Sequence, residues 1–245
     1  MSSFTLPTET VELPSKGLLY SEDSPLSSGK IEMKYMTAKE EDILTNSSYI
    51  ADGTVLDRLM KSLIVSSINY NDLIIGDKNA IMIAARILGY GKDYTFNFGG
   101  SEQTVDLTTL ENKPLREDLI IKGQNEFEFE LPTSGNNITF KILTHGDEMQ
   151  INQELESFKK ISKEGSAELT TRLRYMITSI EGNREKKAIK EFVENYLLAR
   201  DSRALREYIL EIQPDVDLSF FPRGSKNSIN IPIGVDFFWP DFGKR

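Results

Sequence analysis

Ile31, Met33 and Tyr35 alternate with Glu32 and Lys34, the period of a half-buried strand. Before it, Phe4 to Leu13 is rich in Thr and Val, and Pro7 and Pro14 exclude a helix interior, so this stretch is expected to be extended. Ser15-Lys16-Gly17 reads as a turn and Ser21 to Gly29 as a loop. Thr37-Ala38-Lys39-Glu40 then fits a capping box that opens a helix. Val55, Leu56, Leu59, Leu63 and Ile64 recur at helical spacing and predict a second helix from about Thr54 to Ile68. A third is expected from Asp77, as N-cap, through Ile81, Ala84, Ala85 and Leu88, with Gly89 and Gly91 as its stop. Tyr94 to Phe98 and Thr104 to Leu107 flank Gly99-Gly100 and predict a β-hairpin.

A charged stretch with Pro114, Leu110 to Gly123, reads as a connector. Glu126 to Leu131 alternates strictly between acidic and apolar residues, and Asn136-Asn137 turns into a second strand, Ile138 to Ile142. Thr144 or Asp147 caps a helix to about Ile161, which Gly165 breaks. Further helices are predicted over Ala167 to Ile180, Arg184 to Leu198 and Ser202 to Ile212, where Pro214 ends the last. Val216 to Phe221 and Ile229 to Ile233, around Gly224, suggest a closing hairpin. Phe237-Phe238-Trp239-Pro240-Asp241-Phe242 ends the chain with four aromatics, including the one tryptophan. Side chains of this size are costly to expose and dock on their own domain, the commoner outcome, or on another chain.

The second pattern repeats the first in order. Leu13-Pro14-Ser15-Lys16-Gly17 is answered by Leu131-Pro132-Thr133-Ser134-Gly135, and Ile31 to Glu41 by Ile138 to Glu148 at constant spacing. Val65 is matched with Ile177 and Asp77 with Asp201, the spacing growing on the way. The expected fold is α+β, with two similar modules, each a short β element, a helix group and a terminal hairpin. Residues 1–110 form the first, 111–125 a connector and 126–245 the second. The runs around Val65 and Ile177 are expected to be the most buried helix of each module. An extra helix near Arg184 to Leu198 would account for the growing spacing.

Composition narrows the function. The 245 residues carry a formal net charge of −9, which disfavours nucleic acid, whose affinity comes mostly from Lys and Arg. No apolar run is long enough for a membrane span, and Met1 to Pro7 does not read as a secretory leader. Cysteine is absent and His145 is the one histidine, so thiolate chemistry and the usual zinc sets are excluded. Gly89-Tyr90-Gly91-Lys92-Asp93 lacks the spacing and the hydroxyl residue of a phosphate loop, and no Gly-x-Ser-x-Gly elbow accompanies His145. The pairs Glu40-Glu41 and Asp147-Glu148 fall in first helical turns, where they complement the dipole. Arg200, Asp201, Arg203 and Arg206 read as a surface ion-pair cluster.

Several segments together resemble one family. They are Leu13 to Tyr20, Ile31 to Glu41, Leu73-Ile74-Ile75-Gly76-Asp77, Arg86 to Tyr94, and Phe237 to Pro240. The family is the baseplate hub subunit and hub-assembly family of T-even-like contractile-tailed bacteriophages. The resemblance implies a non-enzymatic role in building the tail baseplate hub in the host bacterial cytoplasm, with other tail proteins as partners and self-association open. It leaves two places for the chain, a component of the virion baseplate or a transient tail-assembly chaperone. A carboxylate-based cell-wall hydrolase is the remote alternative. Some relatives carry Cys-x-x-Cys pairs after the Gly-Tyr-Gly segment; here Asn97-Phe98-Gly99-Gly100-Ser101 stands there, so no metal site carries over. No cofactor is expected. The candidate partner contacts are Leu13, Pro14, Lys16, Gly17 and Tyr20 at the first turn, Phe96 and Phe98 on the hairpin, and Phe237, Phe238 and Trp239 at the end.

A metal-independent fold follows from this composition. Chelator is expected to leave the melting temperature unchanged; a fall of several degrees that zinc restores would show an unrecognised site.

Overall fold

The computed structural model describes residues 6–161, 167–222 and 227–238. Strands β1 (Thr8–Glu12) and β2 (Lys30–Lys34) form an antiparallel pair with Val11 opposite Ile31. Ile31 and Met33 point into the core, as the alternation predicts. The loop between the strands is drawn in by two glycines at positive φ. A Cβ on Gly17 would lie 2.4 Å from the Ser27 carbonyl oxygen, and one on Gly29 2.6 Å from the Lys16 backbone.

Helices α1 (Ala38–Leu44), α2 (Ser47–Ala51), α3 (Val55–Leu63) and α4 (Ile75–Tyr90) follow, then the hairpin β3 (Asp93–Phe98) and β4 (Ser101–Asp106). Gly99 and Gly100 both take positive φ, as a two-residue hairpin turn requires. After the connector come β5 (Phe127–Glu130), β6 (Asn137–Phe140), α5 (His145–Ile161), α6 (Glu168–Met176), β7 (Ile177–Ile180), α7 (Lys186–Asn195), α8 (Ala199–Ile212) and the short strands β8 (Ser219–Phe220) and β9 (Ile229–Asn230). β5, β6 and β7 make one antiparallel sheet in that order. The architecture is α+β. Gly165 and Gly224 lie outside the described residues.

Two predicted helices are too long. α3 stops at Leu63, and Ile64 turns extended to lie opposite Met33, with the Val65 amide donating to the Glu32 carbonyl at 2.8 Å. α6 likewise stops at Met176, and Ile177 to Ile180 becomes β7 against β6. The physical reason is the same in both. The preceding strand offers an unpaired edge, and a short β-branched run satisfies it better than another helical turn. Val65 is therefore 55% exposed rather than buried in a helix. Ile64, not Val65, stands opposite Met33 as Ile177 stands opposite Phe140, so the matched positions shift by one residue.

Asp77 and Asp201 are not N-caps. Each is the third residue of its helix, α4 or α8, and is fully buried. Asp77 accepts from the Ser15 amide at 2.9 Å, the Ser15 hydroxyl at 2.6 Å and the Tyr20 hydroxyl at 2.6 Å. Asp201 accepts from the Thr133 and Ser134 amides at 2.7 and 3.0 Å. Each carboxylate thus fastens a Leu-Pro turn to a helix start. Gly89 lies inside α4, with Met36 packed against it, and the stop is Gly91 at positive φ.

The two halves share one hydrophobic cluster rather than two. The Ile75 amide donates to the Leu143 carbonyl at 3.2 Å and the His145 amide to the Leu73 carbonyl at 2.7 Å, with Ile74 opposite Thr144. A Cβ on Gly76 would fall 1.8 Å from the Pro214 carbonyl oxygen, so α4 meets the end of α8 where only glycine fits. The connector also joins in, as Lys113 donates to the Asp215 carbonyl and the Asp217 amide to the Glu111 carbonyl, both at 2.8 Å. The first hairpin packs on the chain's end: Tyr94 meets Phe237 edge-on at 4.7 Å and Phe96 meets Phe220 at 5.7 Å.

The two clamps should differ in worth. Asp77→Ala strands three buried donors and is expected to cost about 3–5 kcal/mol, whereas Asp201→Ala strands two at a more exposed turn, about 2–3 kcal/mol. Urea denaturation of both variants reads the order directly; equal or reversed losses would refute it.

Candidate functional site

The sequence-predicted contact residues divide by burial. Leu13, Pro14, Gly17, Tyr20, Phe96, Phe237 and Phe238 are all buried in their own chain, held by the Asp77 clamp or the aromatic packing at the chain's end. They are not available to a partner in this conformation. Lys16 reaches the surface, where its ammonium pairs with Glu117 at 2.6 Å, and Phe98 at the hairpin tip is 41% exposed. Trp239 lies outside the described residues.

A buried polar cluster sits instead at the joint between the halves. His145, the first residue of α5, is buried with its ring edge-on to Tyr70 at 4.7 Å. Lys78 on α4 places its ammonium 3.0 Å from His145 Nδ1 and 2.9 Å from Asp57 Oδ1. Asp57 on α3 lies 3.2 Å from His145 Nε2 through its other oxygen, and the Tyr70 hydroxyl donates to Oδ1 at 3.3 Å. An ammonium can only donate, so Nδ1 accepts and the ring proton sits on Nε2 facing Asp57. Burial pushes the Asp57 carboxyl up, but His145 and Lys78 outweigh it and hold the group well below the usual carboxylate range. Burial and the Asp57 charge push the Tyr70 hydroxyl far up, so it stays a donor.

Two further carboxylates bind a lysine to a helix start in the same way. Glu40 accepts from the Thr37 amide at 3.0 Å and hydroxyl at 2.6 Å, from Lys34 at 2.8 Å and from Ser62 at 2.7 Å. Asp147 accepts from the Thr144 amide and hydroxyl, both at 3.0 Å, and from Lys141 at 2.7 Å. Burial pushes Glu40 up, yet its donors win and its carboxyl is held down at about 2. The buried carboxylates at Asp77 and Asp201 go opposite ways. Burial raises Asp77, helped by the nearby Asp215 charge, while Ser134 and Thr133 overcome burial at Asp201 and lower it.

Sequence reasoning missed one surface feature. A concavity beside β7 is lined by Lys141, Arg174, Arg184, Lys186, Lys187 and Lys190 together with Asp147 and Glu154, which pair with Lys141 and Arg174. The signal was present, since Lys186 and Lys187 open α7 where acidic residues are the usual choice. Among the described residues, no group of three or more His, Asp and Glu side chains could hold a metal, and no helix is long and apolar enough to cross a membrane. Compared with protein-family models, with curated proteins and with solved structures, the chain finds no match.

The Glu40 site yields a pH prediction. Its folded pKa of about 2 lies below the ordinary 4.5, so its contribution is complete above that value and is lost as pH falls from 4.5 towards 2. Glu40→Gln should remove this dependence, so wild type is expected to lose about 3 kcal/mol relative to the variant across that window. Parallel profiles in chemical denaturation at stepped pH would refute it.

Proposed function

We propose that the chain is a non-enzymatic protein–protein interaction protein that acts in assembling the baseplate hub of a contractile phage tail, as a baseplate component, and that its two halves are related modules. One observation carries the reading: segments of the family resemblance that are far apart in sequence meet around Asp77. The Leu13–Tyr20 segment supplies Ser15 and Tyr20, and the Leu73–Asp77 segment supplies the carboxylate they both bind. The Tyr20 hydroxyl also accepts from the Ile74 amide at 3.0 Å. Two of the five resembling patches thus meet in one frame, as parts of a family signature held by packing would.

The polar clusters favour the same reading. Asp57, Glu40, Asp77, Asp147 and Asp201 are each engaged by donors that tie one backbone element to another. A carboxylate whose oxygens are taken by structural donors is poorly placed to act as an acid or base on a substrate. The related-module reading rests on recurring contacts: Lys34, Thr37 and Glu40 recur as Lys141, Thr144 and Asp147, and Asp77 as Asp201.

Mass spectrometry tests the role. In purified particles of the encoding phage and in hub intermediates from infected cells, peptides of this chain are expected in both. Recovery from intermediates alone would favour the chaperone role, and recovery from neither would overturn the proposal.

A further inference from the structure

The charged lining of the concavity beside β7 falls into two sets. In the first, every cation has a partner. Lys141 pairs with Asp147 at 2.7 Å, Arg174 with Glu154, and Arg184 with Glu126 at 2.7 Å. The second set lies on α7 and is in surplus. Lys186 and Lys187 have no carboxylate partner among the described residues, and Lys190 meets Glu194, one turn further on, at 3.9 Å. All three lysines are exposed. The concavity, of about 660 Å³, also has an apolar part, made by Ile177 and Ile189, both nearly fully buried, and by Tyr175.

The fold gains nothing from the surplus. Lysines in a first helical turn oppose the dipole, and α7 starts without a side-chain cap to offset them. Acidic residues stand in the first turns of α1, α4, α5 and α8. Cations kept at such a place, beside apolar surface, suit a ligand better than they suit the helix.

We propose that this surface binds an extended acidic segment of another protein, in which carboxylates alternate with apolar side chains. Charge complementarity and spacing both favour this occupant. From Lys186 to Lys190 the helix rises about 6 Å. Carboxylates two residues apart on a strand lie about 7 Å apart on one face, so two of them span the lysine row. The residue between them points to the other face. A segment with its acids on the lysines therefore offers its apolar side chains to Ile177, Ile189 and Tyr175. A phosphate group fits less well. It calls for donors that converge on one point, whereas these ammoniums are spread along a helix, and Asp147 and Glu154 line the same concavity. The surface rests on these residues and not on the baseplate reading.

The test is fluorescence anisotropy with the full chain and a labelled, end-blocked peptide, Glu-Leu-Glu-Leu-Glu, at about 50 mM salt, where screening is modest. Binding is expected with a dissociation constant of about 100 µM or tighter. Gln-Leu-Gln-Leu-Gln and Glu-Ser-Glu-Ser-Glu should each bind at least tenfold more weakly. Lys186→Glu combined with Lys187→Glu should also weaken binding at least tenfold while melting no lower than wild type, because acids there complement the dipole. Lys39→Glu combined with Lys122→Glu makes the same charge change at exposed places away from the concavity and should leave binding within twofold. Should the α7 variant melt lower, Lys186→Gln combined with Lys190→Gln replaces it and must weaken binding at least threefold. No binding of the first peptide, equal binding of either control peptide, or equal weakening by the distant pair would overturn the proposal. So would displacement of the peptide by an equal concentration of inorganic phosphate, which would assign the lysines to phosphate instead.

Discussion

A carboxylate buried without a cation is the constraint on which the first half is built. Asp77 lies inside the core, and burial alone disfavours its charge. It is tolerated because three donors from one short segment converge on it. That requirement sets the path of the chain: Ser15 and Tyr20 must lie on the start of α4, so the loop between β1 and β2 folds back over the helix. Gly17 and Gly29 make the return tight enough, and the Tyr20 hydroxyl passes the connection on to the Ile74 amide. One polar atom pair thereby links strand, loop and helix, and the apolar side chains between them pack around it.

The same segment ends at the joint between the halves. Leu73 to Ile75 is held on one side by Tyr20 and on the other by Leu143 to His145. His145 of the second half meets the Lys78–Asp57 pair of the first beside that backbone bridge, so the imidazole contacts and two backbone hydrogen bonds fix one orientation. Pairing of this kind adds little net stability over apolar packing, but removing one partner is costly, which makes it better at specifying an arrangement than at strengthening it. The continuous core then follows, with the first hairpin closing on Phe220, Phe237 and Phe238.

Much of this was legible in local pattern. The alternation at Ile31 to Tyr35, the cap at Thr37 and Glu40, the Gly99-Gly100 turn and the helical run of α5 are all signals read from a few neighbouring residues, and the elements stand close to where they were expected. The misreadings share one cause, which is distance in sequence. Ile64 and Ile177 leave their helices because a strand some thirty or more positions earlier presents an open edge, and a short apolar run fits either period. Asp77 and Asp201 look like caps because an aspartate near a helix start usually is one; the turns they bind lie far upstream. Tyr20 stood among the candidate contacts, but the carboxylate that holds it inside comes from α4, while Phe237 docks on its own chain, the commoner outcome expected for the closing aromatics. Nor does local pattern disclose that Leu73 and Leu197, alike in sequence setting, meet different surroundings.

The two halves differ most in what joins the strand edge to the clamped helix. Between the strand edge and the clamped helix, the first half has only the short turn Tyr70–Asp72, and the second has α7. In the first half that turn is the floor on which His145 rests, so lengthening it would displace the joint. In the second half the corresponding stretch is a whole helix, with Ile189, Phe192 and Val193 buried. Its first turn carries Lys186 and Lys187, which border a concavity where Arg174 is paired with Glu154 and Arg184 with Glu126. Placing lysines at a helix N-terminus opposes the dipole and lowers local stability. A fold that elsewhere puts acidic residues in the first turns of α1, α4, α5 and α8 follows the favourable rule at each of those starts. The reversal at α7 therefore falls on the element that the internal joint leaves free to vary, while the clamps that define each half keep their carboxylates.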